Sequence, residues 1–252
     1  MKAKTTHILF DCDNTLVLSE SLAFEACAQL SNEILASQNI ADRYTGEQLL
    51  VDFVGKNFRG MLVDLQAKYQ FTIPPEELDK YVSMEEDKVI EKLVADLVPC
   101  PGANQVLSKL VASNKYTLAV VSSSAYRRVF ASLQKASQLP FFLPTPSITP
   151  ESRIFSAATS LPVPTSKPDP AIYLFACEQL GAPPIACVAV EDSKSGATAA
   201  VRAGIPVIGY VGSYEGEEKK REMRKMLEEV GCVSVMEHWD EFEEALERAG
   251  CN

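Results

Sequence analysis

Apolar runs stand at 6–10 (THILF), 116–121 (YTLAVV), 185–190 (IACVAV) and 205–211 (IPVIGYV), with a shorter one at 232–235 (CVSV). Runs of this length predict buried strands. Between them the apolar positions change to a helical spacing over 103–112, 124–136, 170–180 and 196–203. Strands alternating with helices predict an α/β protein with a mainly parallel sheet. The first three runs stop abruptly at polar groups: Asp11, then Ser122, then Glu191 with Asp192. Ligands of an open parallel sheet bind beyond the carboxyl ends of its strands, so these groups are expected to converge there.

The pattern is different over 18–98. Helix formers at 3.6-type spacing fill SESLAFEACAQLSNEILA and PPEELDKYVSMEEDKVIEKLVADL, with few β-branched runs, until Pro99, Pro101 and Gly102 close the segment. This predicts an all-helical insertion, a cap domain of 18–98 set into a Rossmann-like α/β core made of 1–17 and 99–252. The stretch 140–168, with Pro170 just beyond it, carries eight of the fifteen prolines. It is expected to be largely loop, with a short strand near 153–157. Past Gly212, EGEEKKREMRKMLEEV reads as a solvated, salt-bridged surface helix.

Composition narrows the chemistry. The chain has 252 residues, with 24 Lys and Arg against 34 Asp and Glu, a net charge of −10. Without a basic run it is unsuited to a nucleic acid backbone. His7 and His238 are the only histidines, which excludes His-rich zinc sites; HExxH, GxSxG, GxGxxG and GxxxxGK[ST] are all missing. An SxxK match at 132–135 has no companion motif. Seven cysteines, an odd number spread along the chain, do not suggest a disulfide framework, and the opening MKAKTTHILFDCD lacks a leader's apolar stretch. A cytoplasmic protein without a membrane partner is therefore expected. Carboxylates remain as the reactive groups.

Asp11 and Asp13 stand two apart directly after a strand, in DCDNT. Two such carboxylates repel each other and lose hydration, and are usually held by a cation or a shared proton. Asn14 tolerates the left-handed backbone of a tight loop, and the Thr15 hydroxyl is expected to tie the loop to its own backbone. Alone, the segment also reads as a polar turn capping a strand. Three further elements favour chemistry: Ser122 in VVSSS at a helix N-terminus, Lys167 in TSKPDP, and Glu191 and Asp192 in VAVEDSKSG. Oxygen donors without thiolate or imidazole suit a hard ion, and Mg²⁺ when a phosphate shares its coordination.

The order DCDNTL, VVSSS, SKPDP, VEDSKSG resembles the four signature motifs of the haloacid dehalogenase superfamily. It is most similar to the helical-cap subgroup that contains β-phosphoglucomutase and many small-molecule phosphatases. Asn14 stands where that family more often has Gly. The resemblance implies that Asp11 is a nucleophile forming an aspartyl-phosphate, and that Asp13 is the general acid and base. It implies that Ser122, the Ser123 amide and Lys167 hold the phosphoryl oxygens. The implied Mg²⁺ ligands are Asp11, the Asp13 carbonyl and Asp192, with Glu191 in or just outside that set. An acid at 13 resembles the phosphate-ester branch, since dehalogenases do not need one and the phosphonoacetaldehyde branch has alanine there.

In DFVGKNFRGM, Gly55, Lys56 and Asn57 resemble a cap loop that faces the active site, with Arg59 nearby. Lys56 and Arg59 would bind a second anionic group of the substrate, or are solvated helix-end cations. Tyr126, Arg127 and Arg128 follow the Ser122 loop and are candidates to line the site's entrance, with a solvent-facing reading preferred for the two arginines. Cys12 is expected to point into the core, Cys100, Cys177 and Cys187 to be small buried residues, and Trp239 and His238 to dock the last helix. The expected activity is Mg²⁺-dependent hydrolysis of a small phosphorylated metabolite of the sugar- or polyol-phosphate kind, by a monomer or weak homodimer. A sugar phosphomutase, and a catalytically silent binding protein on the same fold, remain as alternatives.

Overall fold

The computed structural model describes residues 4–53, 56–143 and 152–250. In chain order these form β1 (His7–Phe10), β2 (Val17–Leu18), α1 (Glu20–Ser37), α2 (Gly46–Asp52), α3 (Phe58–Tyr69), α4 (Pro75–Asp96) and β3 (Val98–Pro99). There follow α5 (Ala103–Ser113), β4 (Thr117–Ser122), α6 (Tyr126–Lys135), β5 (Ile154–Ser156), α7 (Ala171–Gln179) and β6 (Cys187–Glu191). The chain closes with α8 (Lys194–Arg202), β7 (Val207–Tyr210), α9 (Glu217–Val230), β8 (Ser234–Met236) and α10 (Phe242–Arg248). It divides into two compact units, Met1–Leu18 with Val98–Asn252, and Ser19–Leu97.

The first unit is α/β. Its sheet has the order β5-β4-β1-β6-β7-β8, with every neighbouring pair parallel. Counted by chain position among these six strands, the order is 3-2-1-4-5-6. Its direction reverses between β1 and β6, and the crevice at such a reversal, beyond the carboxyl ends of the two strands, is where this topology binds ligands. Asp11 follows β1 and Glu191 ends β6, so the sheet sets both acids at that reversal.

Strand boundaries shift for local reasons. Pro184–Ala186 makes a 3₁₀ turn, so β6 begins at Cys187 rather than 185. Pro206 has no N–H for the ladder, so β7 begins only at Val207. The short β5 lies inside the proline-rich stretch, of which 144–151 are outside the described residues. Alternation along the strands sends Leu9, Val121, Cys187 and Ala189 to one face, against Ile172 and Tyr173 of α7, Ala197 of α8 and Leu227 of α9. Phe10 takes the other face, with ring centroids 6.2 Å from Phe142, 6.0 Å from Trp239 and 6.2 Å from Phe242. Trp239 also stacks on Phe242 and so docks α10. Gly102, at φ +89°, lies where a Cβ would meet that of Trp239 at 2.9 Å.

The second unit contains helices and connecting loops but no strand among its described residues. Leu30, Ile34 and Leu35 of α1 pack with Leu49 of α2 and Met61, Leu62 and Leu65 of α3. Thr45 and Gln48 form a capping box at the start of α2. Among the described residues of the whole chain, no helix is long and apolar enough to cross a membrane.

Candidate active site

The first acidic segment leaves β1 in a tight loop. The Asp11 N–H donates to Val190 O at 3.0 Å, Asn14 N–H to Val17 O at 2.7 Å, and the Leu16 and Val17 amides to Cys12 O at 3.0 and 3.2 Å. Asn14 sits at φ 56°, a left-handed conformation that asparagine accepts more easily than most residues. The Thr15 hydroxyl does not turn back to its own loop as expected. It donates to Asp192 Oδ1 at 3.5 Å, joining the loop to the end of β6, whose last residues it meets at the sheet edge.

Lys167 lies at the centre and is 8% exposed. Its ammonium donates to Asp11 Oδ1 at 2.6 Å, to Val121 O at 2.8 Å and to Glu191 Oε1 at 2.6 Å, so each of its three protons has an acceptor. Its amide donates to Ser123 Oγ at 3.1 Å, which ties the lysine loop to the segment after β4. Glu191 Oε1 also accepts from the Tyr173 hydroxyl, whose ring lies 5.2 Å from Lys167 Nζ. Tyr214 donates to Asp192 Oδ2 at 3.2 Å. Ser122 Oγ accepts from Ser124 N–H at 3.0 Å, while Ser124 Oγ donates to Asp13 Oδ2 at 2.7 Å. The Arg128 guanidinium is 3.5 Å from Asp13 Oδ1.

Burial pushes the Asp11 carboxyl up to about 7; Lys167 pulls it down, but Glu191 and Asp13 add to the rise. Burial alone would lower Lys167, yet Asp11 and Glu191 outweigh it and hold the ammonium above its ordinary range. Tyr173 is driven well above its usual value by burial and then by Glu191, which keeps its hydroxyl a donor. The Cys12 thiol is raised likewise by burial, Asp13 and Asp11, as befits a core residue and not a nucleophile.

Asp11, Glu191 and Asp192 can each offer a carboxylate oxygen within 4.8 Å of the others, and all three are buried. With all three ionised, the carboxylates against one ammonium leave two negative charges, which one divalent cation would balance. Such charges are costly out of water unless compensated. The donors are all hard oxygens, so the residues fit Mg²⁺.

Asp11, Asp13, Ser122, Ser123, Lys167, Glu191 and Asp192 thus gather in the first unit. Lys56, Asn57 and Arg59 belong to the second, where each has a local partner. Lys56 pairs with Asp64 and Arg59 with Asp79, while Asn57 caps α3 by accepting from Gly60 N–H at 2.9 Å. Gly55 lies outside the described residues. Arg127 is exposed, but the solvent-facing reading of Arg128 is corrected: it is half-buried and turned to Asp13. The reason is helical spacing, since Arg128 is one turn before buried Ser132 on α6. Sequence reasoning also passed over Ser124, Tyr173 and Tyr214. The only signal for Tyr173 was its place six residues after Lys167 in an apolar helix, where an aromatic reads as core.

The family model for haloacid dehalogenase-like hydrolases matches residues 5–204. A phosphorylated carbohydrates phosphatase of Thermotoga maritima is 29% identical over 230 residues, 91% of this chain and 93% of its own. A 6-phosphogluconate phosphatase of Escherichia coli is 24% identical over 208 residues, 81% of each chain. A HAD family hydrolase from Deinococcus radiodurans, solved with bound phosphate and sodium, superposes with a TM-score of 0.68 at 25% identity, covering 99% of this chain and 98% of that one.

Proposed function

The chain belongs to the haloacid dehalogenase-like hydrolases, and from that premise we propose that it is a Mg²⁺-dependent phosphatase of a small phosphorylated carbohydrate, working through an aspartyl-phosphate on Asp11. The observation that carries the reading is the buried contact of Lys167 with Asp11 and Glu191 at the reversal of the sheet. The phosphatase activities named for the Thermotoga and Escherichia relatives support the substrate class.

The Asp11 carboxylate attacks phosphorus in line as the bond to the leaving oxygen breaks, and Asp13 gives that oxygen a proton. In the second half Asp13 takes a proton from the water that attacks the acyl phosphate, and Asp11 is restored. The Ser124 hydroxyl and Arg128 fix the Asp13 carboxylate for both transfers. Ser122 and the Ser123 amide hold the phosphoryl oxygens, and the charge of the Lys167 ammonium beside Asp11 opposes their growing charge. Mg²⁺, held by Asp11, Asp192 and the Asp13 carbonyl with Glu191 beside them, would supply the charge that lets a carboxylate approach an anionic ester.

The test is inorganic phosphate released with Mg²⁺ from a panel of sugar phosphates, polyol phosphates, nucleotides and phosphoglycolate, with EDTA abolishing it. Silence across the panel excludes the proposal. A sugar monophosphate incubated with its bisphosphate distinguishes a mutase, which yields isomer without free phosphate.

Metal loading is expected to depend on pH. Asp11 keeps its proton up to about 7 in the metal-free protein, and a ligand carboxylate must lose it. Adding MgCl₂ in weak buffer at pH 6 should therefore release about one proton per chain, with Mg²⁺ affinity rising towards neutral pH and levelling above it. Calorimetry in two buffers of different ionisation enthalpy reads the proton directly, and equal heats would contradict the assignment. The cap residues carry a separate expectation: replacing Lys56 and Arg59 by Met changes the order of preferred esters more than the rate on the best one. An unaltered order removes both from substrate recognition.

A further inference from the structure

Cys187 and Ala189 of β6 face the cluster under α7 and α8, and Glu191, two residues on, continues that face with 0% exposure. A carboxylate so placed needs its donors within the protein. It has two, both on Oε1: the Lys167 ammonium and the Tyr173 hydroxyl. Oε2 has no hydrogen bond and lies against Gly196. A Cβ at 196 would stand 1.8 Å from Oε2 and 2.3 Å from Cδ of Glu191. Gly196 sits in the first turn of α8, its N–H bonded to Ser193 Oγ at 3.1 Å, and its backbone has no positive φ. Glycine is unfavourable in a helix relative to alanine. What the position demands is the space that the Glu191 carboxylate fills.

We infer that Tyr173 and Gly196 are positioning residues for phosphoryl transfer, holding Glu191 in the one orientation that anchors Lys167 against Asp11. The inference rests on the phosphatase reading above. All three ammonium protons are committed, so the direction of the Glu191 bond decides where Nζ stands relative to Asp11 Oδ1. Tyr173 touches both members of that pair, donating to the carboxylate and presenting its ring to Nζ at 5.2 Å. Without the hydroxyl, Oε1 keeps a single donor and the carboxylate turns about its last torsion, carrying the ammonium with it. An alanine at 196 displaces the same carboxylate from the opposite side.

The experiment compares the full chain with Tyr173→Phe, Gly196→Ala and Asp11→Asn, using p-nitrophenyl phosphate and Mg²⁺ as probes and circular dichroism to count folded protein. Tyr173→Phe removes one oxygen and keeps the ring, so it decides the matter even where Gly196→Ala folds poorly. Its kcat per folded chain, at saturating Mg²⁺, is expected to fall about ten- to a hundredfold, with a much smaller change in KM. Gly196→Ala, where folded, should lose more. A Tyr173→Phe kcat within about twofold of the parent overturns the inference. So does an effect confined to KM or to Mg²⁺ saturation, which would assign Tyr173 to substrate or metal binding. Failure of the underlying reading looks different: the parent chain is then inactive on every ester, or Asp11→Asn is as active as the parent.

Discussion

Asp11→Asn is expected to lower kcat for phosphate release by about a thousandfold or more while leaving a folded chain. The amide matches the carboxylate in shape but cannot take up phosphorus and return it to water. The stability expectation is equally definite. The native protein holds the Asp11 proton up to about 7, above the ordinary carboxylate value. Between those two values the folded state binds more protons than the unfolded one, so this group's ionisation works against the fold as pH rises. A neutral asparagine escapes that, and at pH 8 the variant should melt no lower than the parent. Phosphate assays with calorimetric melting check both halves. A variant retaining a tenth or so of the parental kcat would remove Asp11 from the role of nucleophile.

That opposition between stability and chemistry is what made the site legible. An apolar strand followed at once by charge, as in THILF then DCD, could by itself be a capping turn, but a polar break recurs after 121, at Ser122, and after 190, at Glu191 and Asp192. The strands fell where the apolar runs were, because buried parallel strands tolerate little else. Their ends moved by a residue or two, where Pro184 and Pro206 interrupt the ladder. The two-stranded ribbon of β2 and β3 was not legible, since two residues carry no period.

The side chains that went unread share a different property. Tyr173 looks apolar in AIYLFACEQ, and its importance lies in one hydroxyl aimed across the interior at Glu191. Gly196 looks like a weak point in a helix, until the carboxylate beside it is seen. Arg128 is one of two adjacent arginines, and only the phase of α6 separates the one facing Asp13 from its exposed neighbour. Each depends on contact between segments distant in the chain, which periodicity does not encode. In the second unit the difficulty is reversed: Lys56, singled out by its resemblance to a cap loop, and Arg59 nearby carry charges that Asp64 and Asp79 answer locally.

Lys167→Met is expected to act in the opposite sense to Asp11→Asn on stability. It keeps the length of the stem and deletes the cation that Asp11 Oδ1 and Glu191 Oε1 both approach at 2.6 Å. Breaking a buried pair by removing one partner costs about 3–5 kcal/mol, because the remaining charges are left without compensation. Lys167 is also the influence that pulls Asp11 down. Without it the carboxyl holds its proton to still higher pH, and the window in which ionisation opposes folding widens upward. The deficit against the parent should therefore be large at pH 8 and shrink towards pH 5, where Asp11 is neutral in both proteins. Turnover falls by about a hundred- to a thousandfold, the scale for losing a main electrostatic partner of the transition state. Urea midpoints at the two pH values, measured beside Asp11→Asn, supply the check. A deficit independent of pH would mean that Lys167 holds the loop by packing and not by charge.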